Sequence, residues 1–194
     1  MASDSKQSIK LSNEKGEYVR AASSFRNWVK ADGSSLFPVE SNRYHLYVSF
    51  SCPWAQRTLL TRKLKGLENA ITVDVVDWLW TEAGWKFNPE RHECTPDTVN
   101  GLQYVKEIYQ LTDPEYSGRA TVPILFDKVK NCIVNNESSE IIRMLNSEFN
   151  EFCATPQQRK LDLYPSELKQ EIDEINDWAQ RYVEHSVGGL LLLE

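Results

Sequence analysis

The stretch YVSFSCPWAQRTLLTRKLKG, residues 47–66, constrains the fold more than any other part of this 194-residue chain. Tyr44 to Phe50 is rich in aromatic and β-branched residues and reads as a strand. Leu59, Leu60 and Leu64 then fall on one helical face, and Gly66 marks the helix end. Pro53 fits the first helical position, where its missing N–H would be unpaired anyway. Cys52 therefore takes the N-cap, where free backbone N–H groups and the helix dipole favour an anion. A helix terminus contributes at most ~2 kcal/mol. At ~1.4 kcal/mol per pH unit, that moves a thiol from ~8.5 to roughly 7. About half of such a thiol is thiolate at neutral pH, enough for nucleophilic exchange. A buried structural cysteine near a helix start accounts less well for the proline behind it and the strand ahead.

Ala55 is equally informative. A dithiol redox protein carries a second cysteine three residues after the first, to expel a mixed disulfide intramolecularly. With alanine there, the resolving thiol comes from outside, and glutathione is the obvious supply. TVPI gives a second element. In thioredoxin-like folds a cis-proline before this strand leaves the preceding N–H and C=O beside the cysteine, ready to pair with an extended peptide. Val122 is the candidate pairing residue and Pro123 the candidate cis one. A strand that opens on an ordinary trans proline fits the motif as well. Third, Glu137 and Ser138 in NNESSEII open a helix after a strand. N–H groups there receive a carboxylate, so Ser138 suits the γ-glutamyl carboxylate of glutathione and Glu137 its ammonium. Taken singly, the pair reads more simply as helix capping with acids in the first turn.

The rest of the chain supplies a frame for these elements. Ile71 to Trp78 is a second strand, and strand, helix, strand with a short return predicts a parallel βαβ unit. Leu79 to about Ala120 carries Pro89, Pro96 and Pro114 and has little periodicity. That length implies a functional insertion or a partly helical one; Leu102, Val105, Ile108 and Tyr109 are spaced for a short helix. Val122–Phe126 and Cys132–Asn135 form a hairpin around the turn DKVKN. Ile141, Ile142, Leu145 and Phe149 share the face of a following helix. Leu168, Ile172, Ile175, Trp178 and Tyr182 mark a last amphipathic helix from Ser166 to about Val183. The fold class is α/β: a thioredoxin-like domain with a mixed four-stranded sheet over residues 41–150, its insertion at about 79–120. An N-terminal extension (1–40) precedes it. A linker (151–165) and the first helix of an incomplete all-α domain (166–194) follow.

Composition narrows the partners. With 41% hydrophobic residues the chain has enough apolar side chains for a core, and its net charge of −6 is not gathered into blocks. That charge, without a concentrated block of either sign, argues against nucleic acid or an anionic membrane surface. No basic-then-apolar start is present, and the longest apolar run, GGLLLL, is too short to span a bilayer. A cytoplasmic location with reduced thiols is expected. Cys52, Cys94, Cys132 and Cys153 match no zinc spacing, so no metal is expected. Cys132 and Cys153 read as buried small hydrophobes and Cys94 as an exposed loop residue.

Four stretches, RYHLYVSFSCPWAQRTLLTRKLKGL, GWKF, YSGRATVPILFD and IVNNESSEIIRMLN, resemble the glutathione transferase superfamily. The resemblance is specifically to its Xi class, the glutathionyl-hydroquinone reductases, which include fungal omega-like transferases. It runs from about Phe25 to Trp178. It implies that Cys52 is the catalytic nucleophile, that Trp85 of GWKF packs against glutathione, and that Arg119 helps hold the glutathione carboxylates. Val122 pairs with the glutathione backbone, and Glu137 and Ser138 take the γ-glutamyl end. Alone, Trp85 reads as a core aromatic and Arg119 as a solvated charge; only the resemblance lifts either. Gln56 stands where that family often has histidine. After Trp178 the resemblance is lost, where the family continues into an all-helical domain whose tyrosines line the quinone pocket.

The implied reaction is reduction of S-glutathionyl-hydroquinones through a Cys52–glutathione mixed disulfide, releasing glutathione disulfide. Glutathione and glutathionylated quinols are the implied substrates. The alternatives are a glutaredoxin-like deglutathionylase and an inactive glutathione-binding isoform. The apolar stripe from Leu168 to Tyr182, with GGLLLL behind it, predicts self-association (a homodimer is one form), binding of a partner there, or aggregation, with poor hydroquinone turnover even if glutathione binds.

Overall fold

A computed structural model describes residues 23–179. In it, residues 23–40 of the segment read as an N-terminal extension are built into the domain, and the rest of that segment lies outside the described residues. Val29–Lys30 (β1) and Phe37–Pro38 (β2) pair in parallel, with Val29 and Phe37 buried in the core. Asn27 N–H donates to Val134 O and Asn136 N–H to Phe25 O, both at 3.0 Å. Arg26 bridges Asn135 between these bonds. The extension thus covers a strand edge that would otherwise carry unpaired backbone groups.

Tyr44–Val48 (β3), Pro53–Leu64 (α1) and Ile71–Val75 (β4) make the expected parallel βαβ unit, with Tyr44 opposite Ile71 and Val48 opposite Val75. Both strands stop short of the predicted Phe50 and Trp78. Gly66, at φ 63°, takes the left-handed conformation that ends α1. Val105–Thr112 (α2) is the helix foreseen inside the insertion, with Val105, Ile108 and Tyr109 buried and Leu102 just ahead of it. Ile124–Asp127 (β5) and Cys132–Asn135 (β6) form the hairpin, and Ser138–Ser147 (α3) follows. The sheet order is β4-β3-β5-β6, with β5 antiparallel to both β3 and β6. This is the thioredoxin-like arrangement.

Every residue of β3 is buried, so both faces of the sheet are covered. By alternation, Tyr44, Leu46 and Val48 share one face, and the Tyr44 ring meets Phe149 edge-on at 5.6 Å. His45 and Tyr47 share the other. There the Tyr47 hydroxyl donates to Asp97 at 2.9 Å and its ring meets Phe87 at 5.6 Å. The long insertion is therefore a covering layer. Asp97 holds it in shape by accepting from the N–H groups of Val99, Asn100 and Leu102.

The buried side of α1 differs from the leucine stripe expected. Ala55, Thr58 and Thr61 are buried, while Leu60 and Leu64 are exposed. Small residues let α1 approach α3 closely, and the hydroxyls of Thr58 and Thr61 are satisfied by the Ala55 and Arg57 carbonyls. The 151–165 linker is likewise structured: Asn150–Phe152 is a 3-10 turn and Pro156–Lys160 (α4) is capped by Thr155. Lys65, fully buried, donates to Asn150 Oδ1 at 2.8 Å and Leu161 O at 2.6 Å, and burial lowers its pKa.

Residues 23–163 form one compact unit, and residues 164–179 belong to a second. In the second, a 3-10 turn at Ser166–Leu168 leads into Lys169–Ala179 (α5), and the Tyr164 hydroxyl donates to Asp173 at 2.6 Å. Leu168, Ile175 and Trp178 are exposed and Ile172 is half-buried. Tyr182 and the rest of the predicted helix lie outside the described residues.

One buried ion pair locks the first unit. Arg43, just ahead of β3, donates from Nε and Nη2 to Asp127 at the end of β5, at 3.1 to 2.6 Å. Asp127 also accepts from Val129 and Lys130 N–H, which closes the hairpin turn. Asp127→Ala leaves buried Arg43 with only the exposed Glu40 carboxylate to pair with, and opens that turn. We expect it to lower unfolding free energy by about 3 kcal/mol or more in a urea titration.

Candidate active site

The sheet topology brings the predicted site elements to one end. Cys52 follows β3, the loop holding Trp85 follows β4, Val122 precedes the antiparallel β5, and Glu137 follows β6. Asp77 N–H donates to Lys86 O at 2.8 Å and returns the Trp85 loop to the end of β4.

Cys52 is the N-cap of α1, with extended backbone angles, Pro53 at the start of the helix, and no hydrogen bond from its side chain to the helix terminus. Its N–H donates to Ser49 O at 3.2 Å, and its carbonyl accepts from Gln56 N–H at 3.0 Å. Cys52 is 7% exposed, and its thiol donates to the Val122 carbonyl at 3.4 Å. The Val122–Pro123 bond is cis, as the pairing role read for Val122 requires. On ionisation the sulfur can no longer donate to that carbonyl, and the helix dipole then favours the anion.

Glu137 is the N-cap of α3 and Ser138 its first residue; both are buried. Glu137 Oε1 accepts from Ser139 N–H at 3.4 Å, so the capping role holds alongside any other. Glu137 Oε2 accepts from the Ser23 hydroxyl at 2.9 Å. Ser138 Oγ receives two bonds from Arg57, from Nε at 3.0 Å and Nη2 at 2.8 Å. Trp85 and Arg119 meet through a third residue. The Trp80 ring stands edge-on to Trp85 at 5.0 Å, and the Arg119 guanidinium lies over Trp80 at 5.0 Å. Trp85 is half-buried against the core, as an aromatic of its type reads, while Arg119 is half-buried rather than fully solvated.

Sequence reading missed Arg57, Trp80 and Ser23. Arg57 had a usable signal: it lies on the same helix as Cys52, one turn further on. Trp80 stands five residues before Trp85 in a loop without periodicity, and Ser23 lies in the polar N-terminal segment, so spacing marked neither. The other cysteines also differ from expectation. Cys94, Cys132 and Cys153 are all half-buried, because Cys94 tucks under the Val76 carbonyl and the other two border the core. Burial pushes the Cys94 thiol up, aided by Asp77, and pushes the Cys132 thiol up, aided by Asp127. Among the described residues no group of three or more His, Cys, Asp or Glu is placed to hold a metal. Among them, too, no helix is long and apolar enough to cross a membrane.

Comparison with known proteins places this geometry. Residues 51–148 match the family model for the N-terminal domain of glutathione S-transferase, which covers half of the chain. The chain belongs to the glutathione S-transferase family. It is 48% identical over 176 residues to glutathione S-transferase omega-like 2 of Schizosaccharomyces pombe, covering 91% of this chain and 56% of that protein. It is 47% identical over 178 residues to the glutathionyl-hydroquinone reductase YqjG of Escherichia coli K12, covering 89% and 53%. Among solved structures, the transferase Xi of Phanerochaete chrysosporium superposes with a TM-score of 0.81 at 49% identity, over 86% of this chain and 56% of that one. Glutathione-bound YqjG gives 0.75 at 48%, over 80% and 52%. The chain thus spans about half the length of these relatives. They place it among Xi-class and omega-like transferases.

The geometry ranks the thiols. Cys52 sits on a helix dipole, whereas Cys94 and Cys132 are raised by burial and nearby carboxylates. In competitive iodoacetamide labelling near pH ~6.5, followed by peptide mapping, Cys52 is expected to react first. Cys94 and Cys132 should label appreciably only well above pH ~8.5.

Proposed function

We propose that this chain carries a cysteine-type glutathione transferase site of the glutathionyl-hydroquinone reductase kind. The observation that carries the reading is the placement of Cys52, at the start of α1 and 3.4 Å from the Val122 carbonyl, with alanine rather than cysteine at position 55. A thiolate there attacks the sulfur of an S-glutathionyl-hydroquinone. The sulfur–carbon bond breaks, its electron pair passes to the ring carbon, and that carbon takes a proton. Hydroquinone leaves, and Cys52 remains as a mixed disulfide with glutathione. The thiolate of a second glutathione attacks the glutathione sulfur of that disulfide, which frees Cys52 and forms glutathione disulfide.

The remaining residues bind rather than react. Val122 pairs through its backbone with the peptide of glutathione, Trp85 packs against it, and Arg119 helps hold its carboxylates. Ser138 and the N-terminus of α3 take the γ-glutamyl carboxylate, and Glu137 takes the ammonium. A reductase is favoured over a disulfide-exchanging deglutathionylase by the surface beside the nucleophile. Phe50, Trp78 and Trp80 are large, aromatic and exposed, and the Ser51 hydroxyl ties the Cys52 loop to the Trp78 carbonyl at 3.1 Å. An aromatic acceptor gains from such rings; a peptide disulfide has less use for them.

Intact-mass analysis after incubation with a glutathionylated hydroquinone tests the reading. A glutathione adduct on Cys52 with free hydroquinone in solution is expected. Turnover of glutathione disulfides without quinol release would replace the reductase by the deglutathionylase. Cys52→Ser keeps a helix-capping side chain but has no usable nucleophile. It is expected to retain glutathione binding by calorimetry and to lose transfer activity by at least about a hundredfold.

A further inference from the structure

Ser138 is 1% exposed, and its hydroxyl receives two guanidinium N–H groups of Arg57, Nε at 3.0 Å and Nη2 at 2.8 Å. A serine hydroxyl has two lone pairs and one O–H. With both lone pairs accepting from the same fork, only the O–H is left for a ligand, and it can only donate. This fixes the sense of recognition at the start of α3. An ammonium finds no acceptor at Ser138, while a carboxylate finds a donor already polarised by an adjacent positive charge. Backbone N–H groups at the same helix terminus favour the same ligand group.

Arg57 also sits on α1, the helix that Cys52 caps. Its own carbonyl is held by the Thr61 hydroxyl at 2.9 Å, and α1 lies along α3. The fork therefore ties the carboxylate-reading end of the site to the helix that carries the nucleophile. Lysine cannot replace it, because an ammonium is a point donor without a planar two-point geometry.

We infer that Arg57 is a positioning residue for glutathione: acting through Ser138, it makes that hydroxyl a committed donor and selects the α-carboxylate of the γ-glutamyl group. This rests on the proposed reading that the γ-glutamyl end lies at the start of α3.

The test is calorimetric binding of two tripeptides to the full chain. One is glutathione; the other is its 4-aminobutyryl analogue, which lacks only the γ-glutamyl α-carboxylate. The wild-type chain should prefer glutathione. Arg57→Met and Ser138→Ala should each weaken glutathione by about tenfold or more and leave the analogue nearly unchanged. The double variant should be little worse than either single one. Arg57→Lys should recover only part of the preference. Should Arg57→Met not fold by circular dichroism, Arg57→Lys and Ser138→Ala carry the same comparison. Equal weakening of both tripeptides, or additive losses in the double variant, would overturn the inference and leave Arg57 a structural strut. A wild-type chain that binds neither tripeptide would overturn the proposed function itself, and this inference with it. A wild-type chain that discriminates, with variants that discriminate just as well, would sink the inference alone.

Discussion

The antiparallel pairing of β3 with β5 governs where chemistry can occur in this molecule. Tyr47 lies opposite Ile124, so the residues that leave β3 and those that enter β5 emerge at the same end of the sheet. Cys52 and the Val122–Pro123 loop meet there for that reason alone. Parallel pairing of β3 with β4 sends the Trp78–Trp85 loop to the same end, and antiparallel pairing of β5 with β6 delivers Glu137 and Ser138. Four loops far apart in sequence are thus brought together by three strand pairings. In open α/β sheets such strand ends are where ligands bind. A register shift of one residue would turn the side chains of a whole strand to the opposite face, so the burial of all five residues of β3 also protects the site.

Polar groups under the sheet hold this arrangement at a price in desolvation. Arg43 and Asp127 close the far end of the hairpin. On the insertion side, His45 Nδ1 lies 2.7 Å from the Thr72 hydroxyl and His45 Nε2 lies 3.2 Å from Asp74 Oδ2. Burial pushes the Asp74 carboxyl up, but the His45 ring and the N–H and hydroxyl of Thr98 more than offset that, leaving it below the usual range. A carboxyl held below its unfolded value contributes stability above that value, and the contribution is lost as pH falls through the folded one. Asp74 and Asp97 both accept from the insertion, through Thr98 and through Val99, Asn100 and Leu102. The stretch ahead of α2, which has little periodicity, is thereby fixed by two buried carboxylates, while α2 itself is held by its apolar face.

That contrast explains what could be read in advance. The strand–cysteine–proline–helix stretch was legible because each of its residues has a strong local preference, and the capping by NNESS because capping residues act on their own backbone, whereas TVPI by itself left the proline isomer open. β6 was placed to the residue, since alternation and a turn bound it. The buried face of α1 was not legible: hydrophobicity marks Leu60 and Leu64, but the close approach to α3 selects alanine and threonine instead. The place of residues 23–39 was hidden for a related reason. Their anchors are backbone bonds to β6 and an Arg26–Glu140 pair, which carry almost no sequence periodicity. Arg57 and Trp80 belong to the same class, because each is defined by a partner on another element.

The site therefore divides into parts with different physical origins. The sulfur and its capping position come from one continuous stretch of chain, so they form as soon as α1 packs on the sheet. The Arg57–Ser138 contact needs two helices at once, because the two residues lie 81 apart in sequence. Closing that contact requires β3, β5 and β6 to be paired in register, since only then does α3 start beside α1. Long-range pairing of this kind is the slow and demanding part of building a mixed sheet. A chain in which α1 forms but β6 is misplaced would keep a cysteine with its helix dipole and lose the donor geometry at Ser138. The helix-capping cysteine and the Arg57–Ser138 contact are consequently separable features of the fold, the first local and the second long-range.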